Sequence, residues 1–308
     1  MGSVTDEVSV TDRTIAGPHG EVPVRIYRGA ASAEPTAPGL VWVHGGAFMG
    51  GDLDMPEADW VARQLAERGI RVMSVFYRLA SLLDFGNPDA TPPTEGVHFP
   101  VASDEIVAAF HWTLEHANEL GIDAALLSLG GASAGANLSA GASLRLRDAG
   151  GVQPHTVLLA YPVVHARLPE PSRELAEKIA ALPPEASFPP ELTLAMNLNY
   201  VGDETQLANP YAFPGGHALQ GLPPTFILNS DHDSLRSSGE AYASELAAAG
   251  VDVLVLREDG TRHGHLNDPQ NPAAALSIER MSAWLHPNPL VGHQHTDAAP
   301  ATEQKASS

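Results

Sequence analysis

The pentapeptide Gly131-Ala132-Ser133-Ala134-Gly135 sits between a short apolar run beginning at Leu126 and an Ala-rich, helix-like segment. A serine held at a sharp strand-to-helix turn has its hydroxyl pushed out beyond the end of a sheet. Flanking glycines let neighbouring backbone come close there. The N-terminal N–H groups of the following helix point at the same spot and favour a developing anion. A serine hydroxyl is nevertheless a poor nucleophile, and it needs a base, a carboxylate to orient that base, and donors for an oxyanion. In open α/β sheets such groups collect at the carboxyl ends of strands. Three further stretches qualify. His44-Gly45-Gly46 follows the apolar run Leu40–Val43, and Asn229 to Leu235, with Asp231 and Asp233, follows Thr225–Leu228. His263-Gly264-His265 comes shortly after Val251–Leu256. Either aspartate can orient a histidine, and the other is expected to cap the helix that follows.

The elements that must position these residues alternate. Val8, Val10, Val22, Val24 and Ile26 mark a hairpin around Gly17-Pro18-His19-Gly20, and Leu40–Val43 and Val72–Phe76 read as strands. Helices are expected over Pro56–Arg68, Ser103–Leu120, from the serine turn to Ala149, Leu235–Ala249 and Pro272–His286. Thr156–Ala160 is a further strand. Between residues 165 and 208 the alternation breaks into two helical segments, Ser172–Leu182 and Glu191–Tyr200, separated by proline pairs. Residues 81–98, rich in Pro, Gly, Asp and Thr, are too long for an ordinary connection and read as a surface excursion near something functional. Strands alternating with helices imply a mostly parallel sheet covered on both faces. The expectation is one α/β domain over 1–286 with a helical insertion at 165–208, followed by a polar, disordered tail at 287–308.

Composition narrows the function classes. The chain has 308 residues, 44% of them hydrophobic, enough for one large core. It has no cysteine, which removes thiolate nucleophiles, disulfides and cysteine-based zinc sites. A formal net charge of -20 argues against nucleic acid or an anionic membrane as partner. There is no basic-then-apolar leader pattern at the N-terminus and no apolar run of membrane-spanning length, so a soluble cytoplasmic protein is expected. His263, His265 and Asp268 could be grouped as metal ligands, but no further ligand accompanies them, so neither a metal nor any other cofactor is expected.

The order Ser, Asp, His is the one expected for an α/β-hydrolase. The sequence resembles the hormone-sensitive-lipase-like (bacterial family IV) branch of that fold. The motifs HGGAF at 44–48, YRLA at 77–80, HFP at 98–100, GASAGANL at 131–138 and YP at 161–162 occur in the family's order, followed by NPYAFP at 209–214, LPPTFIL at 222–228, DHDSLRSSGEAY at 231–242 and HGH at 263–265. The resemblance implies an α/β-hydrolase fold with a small helical cap at 165–208 that shapes the acyl and alcohol pockets. It implies Ser133 as nucleophile, His263 as general base and acid, and Asp233 as its orienting carboxylate. It also implies an oxyanion hole from the N–H groups of Gly45, Gly46 and Ala134, with His44 bracing the glycine turn. The activity implied is hydrolysis of short- to medium-chain carboxylic esters through an acyl-enzyme, with a small-molecule ester as partner and a homodimer as assembly. The same triad on an amide, lactone, carbonate or bulky ester is the alternative. A ligand-binding protein on a retired scaffold is disfavoured because all three triad positions are kept.

Four departures from the family bear on substrate range. Ala132 stands where the family has Asp or Thr, which is expected to remove a supporting hydrogen bond. His265 replaces a common Phe. The excursion 81–98 intervenes after YRLA, and the family's N-terminal cap helices have no counterpart ahead of the first expected strand. An altered pocket entrance is therefore expected, with Phe85 or Phe99 close to the substrate. Phe48, Phe99, Met196 and His265 are the residues expected around it.

Overall fold

The computed structural model describes residues 8–29, 36–83 and 95–287. Phe85, most of the excursion and the tail beyond residue 287 lie outside the described residues. Eight strands form one sheet in the order β1-β2-β4-β3-β5-β6-β7-β8. The hairpin is β1 (Ser9–Gly17) and β2 (Gly20–Arg28), paired antiparallel, and β2 continues antiparallel onto β4 (Arg71–Val75). The remaining pairs are parallel: β3 (Ala37–Val43) lies between β4 and β5 (Ile122–Ala132), and then come β6 (Val157–Ala160), β7 (Thr225–His232) and β8 (Val253–Arg262).

Both faces are covered, so the central strands read as unbroken apolar runs. On one face α1 (Asp59–Glu67) and α8 (Pro272–Leu285) bury Leu65, Ile278 and Met281 against Leu40, Trp42 and Phe226. On the other, α2 (Val101–Glu115) and α4 (Ala134–Asp148) bury Ile106, Phe110 and Leu138 against Val41, Val43 and Leu129. The helix α7 (Arg236–Ala248) follows β7 and packs Tyr242 and Leu246 against Leu159 and Ile227.

Three element boundaries differ from expectation for local reasons. The helix expected from Pro56 begins only at Asp59, because Asp52 Oδ1 accepts the N–H groups of Asp54 and Met55 and holds a turn ahead of it. The helix expected over Ser103–Leu120 breaks at His116 into α2 and a short α3 (Ala117–Leu120). β7 and β8 run past their apolar parts to His232 and Arg262, because they pair with each other along a polar, partly exposed end that gives no hydrophobic alternation.

Within 165–208 lie α5 (Arg173–Ala180) and α6 (Pro190–Val201), with 3-10 turns at Pro184–Ala186 and Glu204–Ala208. The Ser172 side chain caps α5 by accepting the Leu175 N–H, and Pro190 opens α6.

Candidate active site

The ends of β3, β5, β6, β7 and β8 meet at one edge of the sheet. Val43 pairs with Gly131, Ala132 with Ala160, and Ala160 with Leu228. The register therefore brings His44, Ser133 and Tyr161 side by side, each one step past its strand. Two backbone bonds fix that edge, Ser133 N–H to Ala160 O at 2.8 Å and Tyr161 N–H to Leu228 O at 2.6 Å. Among the described residues four non-glycine residues have positive φ: Ala47 (53°), Phe48 (64°), Ser133 (53°) and Tyr161 (37°). All four lie here. Such conformations cost about 1–3 kcal/mol each and collect where function demands them.

Ser133 opens α4 from φ 53°, ψ −117°, on the turn that connects β5 to the helix. The turn can be this tight only because its neighbours lack side chains. A β-carbon on Gly131 would lie 2.5 Å from Gly135, and one on Gly135 would lie 2.1 Å from Val43 O. Ser133 Oγ is 2.9 Å from His263 Nε2, and His263 Nδ1 is 2.7 Å from Asp233 Oδ2. A carboxylate only accepts, so Nδ1 carries the proton and Nε2 is left to accept from the serine hydroxyl. Burial alone would lower the His263 imidazole. The Asp233 carboxylate, by charge and hydrogen bond, and the charge of Glu57 outweigh burial and hold it above its ordinary value of 6.5.

The neighbouring carboxylate has other work. Asp231 pairs with Lys178 of α5, with Arg236 of α7 at 3.3 Å and with Arg257 of β8 at 3.2 Å, and accepts the Gly260 N–H at 3.0 Å. It does not cap α7 as expected. Asp233 Oδ1 instead accepts the Leu235 N–H at 2.9 Å, in the turn just ahead of α7, while Oδ2 serves His263.

The glycine turn differs from expectation at Gly45. Gly45 N–H donates to Glu57 Oε1 at 2.7 Å, so it is not available to a substrate oxygen. Gly46 and Ala47, the next two residues, line the pocket beside Ser133. Ala134 is the first residue of α4, where a backbone N–H has no helical acceptor. His44 holds the turn from behind, its Nδ1 2.7 Å from Gly45 O and its ring stacked on Tyr77 at 4.6 Å.

A mostly apolar cavity of about 230 Å³ opens at Ser133 and His263, lined among others by Phe48, Val163, Phe188, Met196, Leu235 and Asn267. Phe48 and Met196 thus take their expected places. Phe99 does not, because it packs edge-on against Tyr200, with ring centroids 6.1 Å apart, behind the pocket wall. His265 is also displaced from its expected role. It is 5% exposed and bridges Ser230 Oγ at 2.9 Å and Ser277 Oγ at 2.8 Å, away from the pocket. Burial pushes its imidazole down to about 4, so it is neutral at physiological pH. That bridge also separates it from His263 as a joint metal ligand.

Three residues at the site were not singled out by spacing. Phe188 stands edge-on to the His263 ring at 4.9 Å. Glu57 is 2% exposed and accepts from Gly45, from Tyr161 Oη and from Asn267 Nδ2 at 3.1 Å, while its own N–H donates to Asn267 Oδ1 at 3.1 Å. Ala132 is fully buried and contributes no polar group, so the supporting polar side chain beside this turn is Glu57. Among the partners of Glu57, Gly45 and Tyr161 lay in recognised motifs. Asn267 carried no signal at all.

Comparison with known proteins agrees with this geometry. A family model described as alpha/beta hydrolase fold matches residues 40–267. Carboxylesterase NlhH of Mycobacterium tuberculosis is 34% identical over 293 residues, which is 91% of this chain and 82% of the relative. An arylesterase of Saccharolobus solfataricus is 32% identical over 253 residues, 81% of this chain and 74% of the relative. Among solved structures, EstE1, a thermostable carboxylesterase cloned from a metagenomic library, superposes with a TM-score of 0.77 at 28% identity, covering 92% of this chain and 90% of that one. An esterase of Pyrobaculum calidifontis gives 0.75 at 29% identity, covering 90% and 82%. On the matched model, the identities and the order of its motifs, the chain belongs to the alpha/beta hydrolase fold family, in its hormone-sensitive-lipase-like branch.

Proposed function

We propose that the chain is a serine carboxylesterase hydrolysing short- to medium-chain esters through an acyl-enzyme. The observation that carries the reading is the continuous chain Ser133–His263–Asp233, at 2.9 Å and 2.7 Å, opening onto an apolar cavity. Ser133 Oγ attacks the ester carbonyl carbon while His263 Nε2 takes its proton. The carbonyl oxygen gains the negative charge, which the N–H groups of Gly46, Ala47 and Ala134 stabilise. Collapse expels the alcohol, which takes the proton from His263. Water then attacks the acyl-Ser133 ester by the same route and releases the acid. Asp233 keeps the imidazole in its working tautomer and stabilises the imidazolium. A cavity of about 230 Å³ is smaller than the roughly 300–1,000 Å³ of drug-sized ligand sites, which supports a short acyl or alcohol group.

The insertion 165–208 acts in this reading as the cap of a single catalytic domain over 1–286. No helix of the described residues is long and apolar enough to cross a membrane. The reading places the enzyme in the cytoplasm as a homodimer, which light scattering of the purified protein tests. The activity test compares p-nitrophenyl esters from acetate to dodecanoate on wild type and Ser133→Ala. The expected result is activity that falls with chain length and a loss in the variant of roughly 10⁴- to 10⁶-fold in kcat. Activity that survives in Ser133→Ala overturns the assignment. A wild type inactive on every ester and unlabelled by a fluorophosphonate overturns the esterase reading.

A further inference from the structure

Glu57 is a buried carboxyl group that the steps above do not use. Its position is determined by three different parts of the site. Oε1 accepts from Gly45, in the turn whose next two residues, Gly46 and Ala47, line the pocket with Ser133. Oε2 accepts from Tyr161, the strained residue after β6, and from Asn267, in the 3-10 turn that follows the His263 loop. The contact to Asn267 is reciprocal, since the Glu57 N–H donates to Asn267 Oδ1. The Glu57 carbonyl in turn accepts the Trp42 indole N–H at 2.8 Å, tying the residue to β3 itself. One side chain therefore joins the oxyanion turn, the strand beside the nucleophile and the loop of the base. Ser133 is close by, since a β-carbon on Gly45 would meet both Glu57 Oε1, at 2.5 Å, and the Ser133 β-carbon, at 3.1 Å.

We infer that Glu57 is a positioning residue for ester hydrolysis, holding the oxyanion turn and the His263 loop in register as a carboxylate with a full set of donors. The inference rests on the esterase reading. Three donors converge on its two oxygens, an arrangement that suits an acceptor-only group. A protonated carboxyl, or an amide in its place, would turn N–H or O–H toward at least one of these donors. Burial holds the Glu57 carboxyl above its ordinary range, and Tyr161, Gly45, His263 and Asn267 offset only part of that rise. The groups facing this pair from other elements are Asp233 across His263, the His265 imidazole, and the Tyr77 and Tyr161 phenols, both held neutral by burial. Asp233 and Glu57 are thus the two negative charges felt by His263, and Glu57 is the one that no triad assignment records.

The sign follows from the charges. His263 works as a base when neutral, so activity is lost as pH falls through its pKa. A carboxylate that raises this pKa moves the acid limb to higher pH, and removing the charge moves it back down. For Glu57→Gln the expected result is a kcat lower by roughly 10- to 100-fold with KM within about twofold. Its acid limb of kcat/KM should lie about 0.5 to 1 unit lower than that of wild type. Glu57→Asp keeps the charge on a shorter arm, so its kcat should fall while its limb stays with wild type. A residue that served only to fill space would move neither limb. The measurement is kcat/KM against pH on p-nitrophenyl butyrate for the three proteins, with thermal melts and fluorophosphonate labelling of Ser133 alongside. If Glu57→Gln does not fold, Asn267→Ala replaces it, since it removes one donor and the reciprocal acceptor from an exposed loop. That variant should lower kcat several-fold without moving the limb. A Glu57→Gln limb superimposed on wild type, or an Asn267→Ala kcat equal to wild type, overturns the inference and leaves the esterase reading intact. An inactive, unlabelled wild type overturns the reading itself.

Discussion

The two helices of segment 165–208 are attached to the rest of the fold in opposite ways. α6 is built into the core: Tyr200 is 2% exposed, stacks on Phe48 at 4.0 Å and meets Phe213 edge-on at 6.0 Å, and Asn197 donates to Ala166 O at 3.0 Å. α5 buries only Leu175 and otherwise spans a second apolar cavity, of about 240 Å³, that Phe188 separates from the catalytic pocket. Charge holds it. Lys178 pairs with Asp231, and Glu174 with Arg236 at 2.8 Å and Arg257 at 3.5 Å. One helix is a fixed wall of the active site, and the other is a roof tied down at a ring of ions. The same insertion thus combines packing, which is strong and indifferent to salt, with ion pairs whose strength depends on pH and ionic strength.

The sharpest way to break this contrast is at Tyr200. Truncation to alanine removes a fully packed ring between Phe48 and Phe213 and should destabilise the fold by about 3–5 kcal/mol in urea unfolding. The hydroxyl contributes differently. It is buried without a hydrogen-bond partner among the described residues, so Tyr200→Phe removes a desolvated group and should leave stability unchanged or raise it by up to about 1 kcal/mol. A large loss in the phenylalanine variant would mean that α6 is held by polar bonds, and the contrast with α5 would collapse.

The next effect in size is at the point where the ion ring meets the catalytic strand. Asp231 and Asp233 are two residues apart on β7 and its exit, one serving the cap and the other the base. Asp231→Asn should cost about 1–3 kcal/mol, because Arg236 is 5% exposed and loses one of its partners. It should raise KM and leave kcat within about threefold, the reverse of what losing a triad member does. Burial raises the Asp231 carboxyl, but Lys178, Gly260 and Arg257 together hold it below its ordinary value of 3.8. A depressed carboxylate contributes stability above its unfolded pKa, about 3.9, and that stability is lost as pH falls through the folded value. The difference in stability between wild type and Asp231→Asn should therefore close in acid. A difference that persists below that range would show that the pairs are not its source.

How much of this was legible in the sequence follows the same division. Ser133, His263 and the Asp231/Asp233 pair announce themselves because their local sequence marks strand ends. The parallel register then brings those ends together whatever the side chains are doing. Gly45 was expected as a donor, but its N–H is taken by Glu57, a contact that the local sequence does not show. The same turn carries positive φ at Ala47 and Phe48, which neither residue type predicts. Glu57 was hidden by its context, since an acid just after a proline is ordinary at a helix start and nothing local shows that this one points inward. His265 and Phe99 were placed by adjacency to motifs, yet Ser230 and Ser277 draw the first away and Tyr200 the second. The excursion, with Phe85, lies outside the described residues apart from its ends. There Val97 N–H bonds Leu79 O at 2.9 Å and closes the loop's base.

The smallest effect tests the roof directly. Lys178 is one-quarter exposed and pairs with Asp231 and, within its own helix, with Glu174 at 2.5 Å. A partly exposed pair of this kind contributes about 0.2–1 kcal/mol at low ionic strength, and at 1 M salt, where the Debye length is about 3 Å, most of that contribution is screened. Lys178→Ala should therefore melt slightly below wild type in dilute buffer, and the two curves should converge as salt is added. The Tyr200 variants should keep their offsets from wild type throughout. If salt instead raised KM for wild type but not for Lys178→Ala, the ring would be holding α5 over the pocket mouth. If salt shifted both proteins equally, α5 would be seated by Leu175 and the rim of the second cavity, and the charges would be ornament on a packed helix.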